Sequence, residues 1–271
     1  MIKIINNDNL FIYGKSDLGK IVNVKRVTRT LTPAKNLRTV QAVDGVLFLG
    51  AETEASEITV DCTLISENRA ELSNTLNYLA SLVNYKTLQP LVLRDYPQTQ
   101  NIAILSRARE IKRNNTWAEF SLTFYCPAGV REERTATVVR RGEEKNGIRV
   151  QANTINISTW EASASCSPII KIVTKATKNI KLVERNNGKI EYFTMLEKSN
   201  SQSFTSGEKI TIDCNKKMIL ANGEQKPEWL TLESKFLEIP PKIGNEQYSY
   251  SIVLNSAGGT IEECEVVRKW I

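Results

Sequence analysis

The chain has 271 residues, with 36 Lys and Arg against 30 Asp and Glu, a formal charge of +6, and no histidine. Lacking imidazole, it cannot build Ser-His or Cys-His nucleophile pairs or a zinc site that needs that ligand. The 41% hydrophobic and 24% charged shares are those of a globular protein, no stretch reaches the ~18 apolar residues of a membrane helix, and basic residues are scattered among carboxylates rather than gathered into a nucleic-acid stripe.

Met1 to Gly14 lacks the apolar centre of an export signal, so the chain is expected to stay where it is made. Gly14-Lys15-Ser16 has the look of the end of a phosphate-binding loop, but Asn9 stands where that loop needs glycine and no helix follows. Ile21 to Val27 reads as a strand with Val22 and Val24 on one face. Two further strand runs, Leu37 to Val43 and Val46 to Leu49, flank Asp44-Gly45. That dipeptide tolerates positive φ and predicts a tight hairpin turn.

Ile58, Val60, Cys62 and Leu64 alternate with Thr59, Asp61 and Thr63, the period of a half-buried strand. Ser66 is a candidate helix cap with Glu67 in the first turn. Leu72, Leu76, Leu79 and Val83 then fall at helical spacing and form the expected core face of a helix. Pro90 suits the start of the next strand, Leu91-Val92-Leu93. Asn101 to Leu105 and Trp117 to Cys126 supply two more, the second alternating through Phe120, Leu122 and Phe124.

After Cys126 the apolar period gives way to mixed charge, including Arg131-Glu132-Glu133-Arg134 and Arg140 to Lys145. We read a domain over 1–130, a charged linker over 131–148 and a second domain over 149–271. The second is all short strands: Ile169 to Val173, Ile180 to Val183, Ile190 to Leu196, Ile210 to Cys214, Met218 to Leu220, Tyr248 to Leu254 and Ile261 to Val267. Turn signals at Asn187-Gly188, Ser206-Gly207, Asn222-Gly223, Gly244-Asn245 and Gly258-Gly259 are spaced as in an antiparallel sandwich.

Cys62, Cys126, Cys166, Cys214 and Cys264 are widely spaced and odd in number, which fits free thiols used as small hydrophobes in a reduced compartment. Glu132-Glu133, Glu143-Glu144 and Glu262-Glu263 could serve a glycosidase, but neighbours on a strand point to opposite faces, so solvated charge is the commoner outcome. Trp160 and Trp229 are candidates for stacking on a saccharide, and core filling is their commoner use. No metal, cofactor or catalytic residue is expected.

The order of parts resembles one family, the distal tail proteins (Dit) of long-tailed phages with flexible tails. The likeness rests on the hairpin motif at Val40 to Gly45, the strand Ile58 to Leu64, the helix, Pro-Leu-Val-Leu-x-Asp at Pro90 to Asp95, and Phe-x-Leu-x-Phe-x-Cys at Phe120 to Cys126. It continues through Pro168-Ile169-Ile170, Ile210 to Asp213 before Asn222-Gly223, and Phe236 to Pro240 before Gly244-Asn245. Ala42 stands where the family often has glycine, and Pro127-Ala128-Gly129 replaces its Asp-Pro-aromatic step.

The resemblance implies a mainly β chain: an N-terminal β-sandwich or split barrel with one α-helix, and a C-terminal sandwich of galectin-like or carbohydrate-module-like type. It implies a non-enzymatic virion component, assembled in the host cytoplasm and residing at the tail tip as a homo-hexameric ring. The implied neighbours are the tail tube and tape measure proteins, the tail-associated lysin and the receptor-binding or baseplate proteins. DNA would pass through the lumen unread, and no membrane insertion is implied. The alternative is a carbohydrate-binding adhesin that uses Trp160 or Trp229.

Overall fold

The computed structural model of the chain describes residues 9–29, 35–42, 45–186, 189–198, 202–242, 248–255 and 257–270. It divides into two compact units, one ending at Arg134 and the other running from Thr135 to Trp270.

In the first unit the strands are β1 (Phe11–Tyr13), β2 (Ser16–Asp17), β3 (Asn23–Arg29), β4 (Lys35–Ala42), β5 (Gly45–Thr53), β6 (Ser56–Ile65), β7 (Gln89–Leu93), β8 (Thr99–Arg113), β9 (Trp117–Cys126) and β10 (Arg131–Glu133), with one helix, α1 (Arg69–Val83). The main sheet runs β2-β1-β7-β8-β9-β6-β3, and β10 pairs with the start of β8. Every one of these pairings is antiparallel. The alternation seen in the sequence decides which face is buried. Ile58, Val60, Cys62 and Leu64 from β6 join Ala118, Phe120, Leu122 and Phe124 from β9 in one core.

The helix packs into that same core through Leu72, Leu79 and Val83, with Leu76 partly buried beside them. Its cap is Asn68 rather than Ser66. Asn68 Oδ1 accepts from the backbone N–H of Glu71 at 2.9 Å, and the Glu71 carboxylate reaches back to the N–H of Glu67 at 3.0 Å. One orphaned donor of the first turn, and one just ahead of the helix, are thus satisfied. Ser66 lies two residues too early, and its hydroxyl donates to the carbonyl of Asn68 instead.

Among the described residues β4 and β5 pair with each other alone, Ala42 opposite Gly45. Asp44, the first residue of the expected Asp-Gly turn, lies outside the described residues. Gly14, at φ +61°, opens a tight turn between the paired Tyr13 and Ser16, so Gly14-Lys15-Ser16 is a hairpin tip rather than a phosphate loop. Asn9 is buried: its side chain donates to the Gly19 carbonyl at 2.8 Å and accepts from the Val24 N–H at 2.7 Å.

The expected linker over 131–148 is a correction, because most of it is strand. Arg131 to Glu133 pair with Thr99 to Asn101, and Thr137 to Arg140 (β11) pair with Glu263 to Val266 as an edge strand of the second unit. Alternation was present but masked by charge: Thr137 and Val139 are buried while Val138 is half-buried and Arg140 exposed.

The other strands of the second unit are β12 (Glu144–Lys145), β13 (Ile148–Val150), β14 (Thr154–Ile157), β15 (Ile169–Thr174), β16 (Asn179–Asn186), β17 (Lys189–Glu197), β18 (Lys209–Asp213), β19 (Met218–Ala221), β20 (Glu224–Gln225), β21 (Tyr250–Leu254) and β22 (Gly259–Val266). They form two six-stranded sheets, β11-β22-β15-β18-β19-β20 and β12-β13-β14-β21-β16-β17. Residues of both sheets, among them Ile170, Ile212 and Ile261 from one and Ile155, Leu182 and Ile252 from the other, share one core. That is a β-sandwich. Asn222 and Gly223, at φ +49° and +91°, make the two-residue turn between β19 and β20 that the dipeptide announces. The chain is mainly β, with its one described α-helix in the first unit, as its sequence pattern implies.

Candidate functional site

Where β6 and β9 pair, the main sheet of the first unit buries one face in the core that α1 joins and leaves the other polar. On that polar face Thr59, Asp61 and Thr63 of β6 stand opposite Thr123, Ser121 and Glu119 of β9. Asp61 accepts from the Ser121 hydroxyl at 2.6 Å and pairs with Arg26 of β3 at 2.9 Å, Thr59 and Thr123 share a hydrogen bond of 3.2 Å, and Lys25 pairs with Glu119. Opposite charges are matched across strands, so the face is hydrophilic without a strong field of either sign.

The sheet also has an uncapped flank. From Ile104 to Arg113, β8 pairs with β9 on one side. From Ser106 onward, no strand among the described residues takes the other. Beside that edge lies a groove of about 530 Å³, walled by α1 through Leu76, Ala80 and Val83, floored by Phe120 and Leu122, and rimmed by Arg109 and Arg113 of β8. Arg113 donates to Ser73 Oγ at 2.7 Å and lies 3.8 Å from Glu110.

A third feature is a stack of cations on Tyr96. The guanidinium of Arg131 lies 3.7 Å from the ring centroid and that of Arg29 lies 5.0 Å away, with Asp95 4.0 Å from Arg29. Nε and Nη1 of Arg29 are buried without a hydrogen-bond acceptor. Burial pushes the Arg29 pKa down from its usual value, and Asp95 opposes that shift.

The residues singled out from the sequence fall elsewhere. Leu72, Leu79 and Val83 are core, and Leu76 lines the groove as well. Trp160 is 1% exposed and Trp229 8% exposed, so neither offers a free ring face to a pyranose. The expectation of saccharide stacking there is a correction: Trp229 packs edge-on against Phe204 at 5.3 Å, and both rings lie near Lys198. Glu262 pairs with Arg141 at 3.2 Å and Glu263 with Lys171 at 2.6 Å, so that pair of acids is engaged separately.

All five cysteines are buried and free. Burial pushes the thiols of Cys62 and Cys214 up to about 12 and that of Cys126 up to about 11, which makes them poor nucleophiles. Among the described residues no group of three or more His, Cys, Asp or Glu could hold a metal ion. Sequence reasoning missed the second half of β8, Ser106 to Arg113, because arginines and lysines hide its strand period. It also missed the Arg29–Tyr96–Arg131 stack, which joins residues far apart in the chain.

Among the described residues the arrangement is one of strand edges and sheet faces. Residues 9–126 match the phage tail protein RIFT-related domain, and residues 161–260 match the C-terminal domain of the siphovirus-type tail component. The class is therefore a siphophage tail protein, a structural component of the virion. The distal tail protein of Bacillus phage SPP1 is 22% identical over 212 residues, 76% of either chain. The crystal structure of SPP1 Dit, described as a paradigm of hub adsorption apparatus in phages infecting Gram-positive hosts, superposes with a TM-score of 0.73 at 15% identity, over 97% of this chain and 99% of that one. The chain belongs to the distal tail protein (Dit) family.

Proposed function

We propose that this chain is the hub of a siphophage tail tip: a homo-hexameric ring that joins the tail tube and tape measure proteins on one side to the tail-associated lysin and receptor-binding or baseplate proteins on the other. The first unit is the ring-forming part and the sandwich an appended module. The observation that carries this reading is the flank of β8 that no strand among the described residues takes, an edge of the kind that monomeric sheet proteins cover or shorten. In a ring that flank meets a neighbour, and the ion-paired polar face is suited to lie along a passage through which DNA moves without being bound.

Sedimentation and negative-stain images of the purified chain, alone and with its tail tube protein, test the reading. Six-fold rings are expected. A monomer at every concentration, with no rings in the presence of the tube protein, overturns it. The role is structural rather than catalytic. Since Trp160 and Trp229 are core residues, a glycan array probed with the full chain is expected to show no binding that depends on either indole.

A further inference from the structure

We propose that Arg29 and Arg131, gathered on the ring of Tyr96, form a binding site for a small dianionic oxyanion of the phosphate class. Strand β3 puts Arg29 in an unusual place for a cation. Arg29 pairs with Ile58, whose side chain is 2% exposed, and follows Val27 by two residues, so alternation turns it to the core face of the sheet. Its side chain is 19% exposed. Nε and Nη1 are buried without an acceptor, and Nη2 lies 4.0 Å from the Asp95 carboxylate, beyond hydrogen-bond reach. Leaving charged donors unmet in a buried place is costly.

The charge balance around the ring fixes the class of ligand. Asp95 serves two arginines, since Arg94 lies 3.7 Å from it and Arg29 4.0 Å. The charges linked through Tyr96 and Asp95 are therefore Arg29, Arg94 and Arg131 against one carboxylate, an excess of two positive charges. Glu132 falls on the other face of β10, where it accepts from Gln100 at 3.1 Å, and Glu133 and Arg134 follow with opposite charges. The face of Tyr96 offsets part of the excess but offers no acceptor in the plane of a guanidinium. A dianion offsets all of it, and guanidinium forks match phosphate oxygens in geometry.

The platform is open and fixed in advance. Tyr96 is 45% exposed and Arg131 half-buried, so a solute reaches both. The Tyr96 N–H donates to the Leu93 carbonyl at 3.1 Å and its own carbonyl accepts from the Thr99 N–H at 3.1 Å, which holds the ring on a double turn before any ligand arrives. Both guanidinium carbons lie within 5.0 Å of that one ring centroid, a span that the oxygens of a tetrahedral oxyanion bridge. Seated between Arg131 and the Nη2 end of Arg29, the anion supplies the acceptor that Asp95 stands too far away to be. Nε and Nη1 stay shut in, and the anion compensates their charge at close range through a medium less polar than water.

The test is calorimetric titration of the full-length chain with inorganic phosphate at about pH 8, where phosphate is a dianion, with chloride as the ion it replaces at fixed ionic strength. Saturable binding is expected. Arg131→Gln and Arg29→Met each remove one charge and keep much of the side chain's bulk, and each is expected to weaken binding at least about tenfold. Arg26→Gln, at an exposed arginine on the opposite face of β3, is expected to leave binding unchanged, which separates the site from the general effect of phosphate on protein surfaces. Dimethyl phosphate, with a single charge, is expected to bind at least about tenfold more weakly than phosphate. No saturable binding by the parent, binding that Arg131→Gln leaves intact, or equal affinity for dimethyl phosphate overturns the proposal. If Arg29→Met does not fold, Arg131→Gln decides alone, and none of these outcomes depends on whether the chain assembles into rings.

Discussion

The two units treat their sheets differently. In the sandwich, each six-stranded sheet covers the inner face of the other, and the core closes on itself. In the first unit, one sheet curls so that Phe11 and Tyr13 of β1 meet Phe124 of β9, with a single helix packed into the same core, and among the described residues half of β8 has no second strand beside it. A core that closes needs no partner, whereas on the ring reading proposed above the open edge of β8 is a surface for a neighbour. On that reading the contrast separates stability from assembly, and substitutions in each unit have opposite signatures.

The largest effect is expected at Trp160, whose side chain is 1% exposed in the sandwich core. Trp160→Ala should cost about 3–5 kcal/mol of that unit's stability through lost burial and the cavity left behind. Trp160→Phe should cost much less, since it also removes an indole N–H that has no hydrogen-bond acceptor. Thermal or denaturant unfolding separates the two. Next comes Lys198, paired with Glu208 at 2.9 Å where the two side chains are 15% and 10% exposed. Lys198→Ala strands a nearly buried carboxylate and should cost roughly 2 to 3 kcal/mol. A loss of rings with unchanged unfolding, in either case, would erase the distinction between the units.

Alkaline pH probes both units at once. Burial makes the folded thiols of Cys62, Cys126 and Cys214 titrate above the ordinary thiol value of 9.0, so above that pH the unfolded chain holds fewer protons than the folded one. Stability is therefore flat below about pH 9 with respect to these groups and falls as pH rises, by at most about 1.4 kcal/mol per pH unit for each thiol. Denaturant midpoints measured from pH 8 to pH 11 check the sign. Unchanged midpoints across that range would mean that the thiolates form without unfolding.

How much of this was legible in the sequence depends on the range of the forces involved. The alternation of Ile58 to Leu64 and Phe120 to Phe124 and the helical spacing of Leu72 to Val83 are local signatures of burial, and each lies in the core of the first unit. Asn222-Gly223 fixes its turn by backbone sterics alone. The cap was misplaced by two residues because Ser66 and Asn68 are both competent acceptors, and the choice is made by where β6 ends. Strands β10 and β11 were read as linker because a strand that is half charged shows its period only once its partner is known. The groove and the open edge were invisible for the same reason: an unpaired edge is a property of the whole strand order, not of Ser106 to Arg113 by themselves.

Smaller effects sharpen the comparison at the level of single contacts. Asn68→Ala removes the acceptor for the Glu71 N–H and should cost about 1 kcal/mol, read as a lower unfolding midpoint of the first unit. Arg26→Ala should cost less than about 0.5 kcal/mol, because its side chain is 74% exposed and solvent already screens its pair with Asp61. Asp61 keeps its bond from Ser121 in that variant, so no buried charge is stranded. If the polar face belongs to the assembly rather than to the folded monomer, Arg26→Ala leaves the unfolding midpoint in place at every ionic strength while the spread of ring sizes or ring yield changes. A drop in the midpoint as large as that of Asn68→Ala would instead make the polar face part of what holds the first unit together, and the separation of stability from assembly would fail at the surface where it should be clearest.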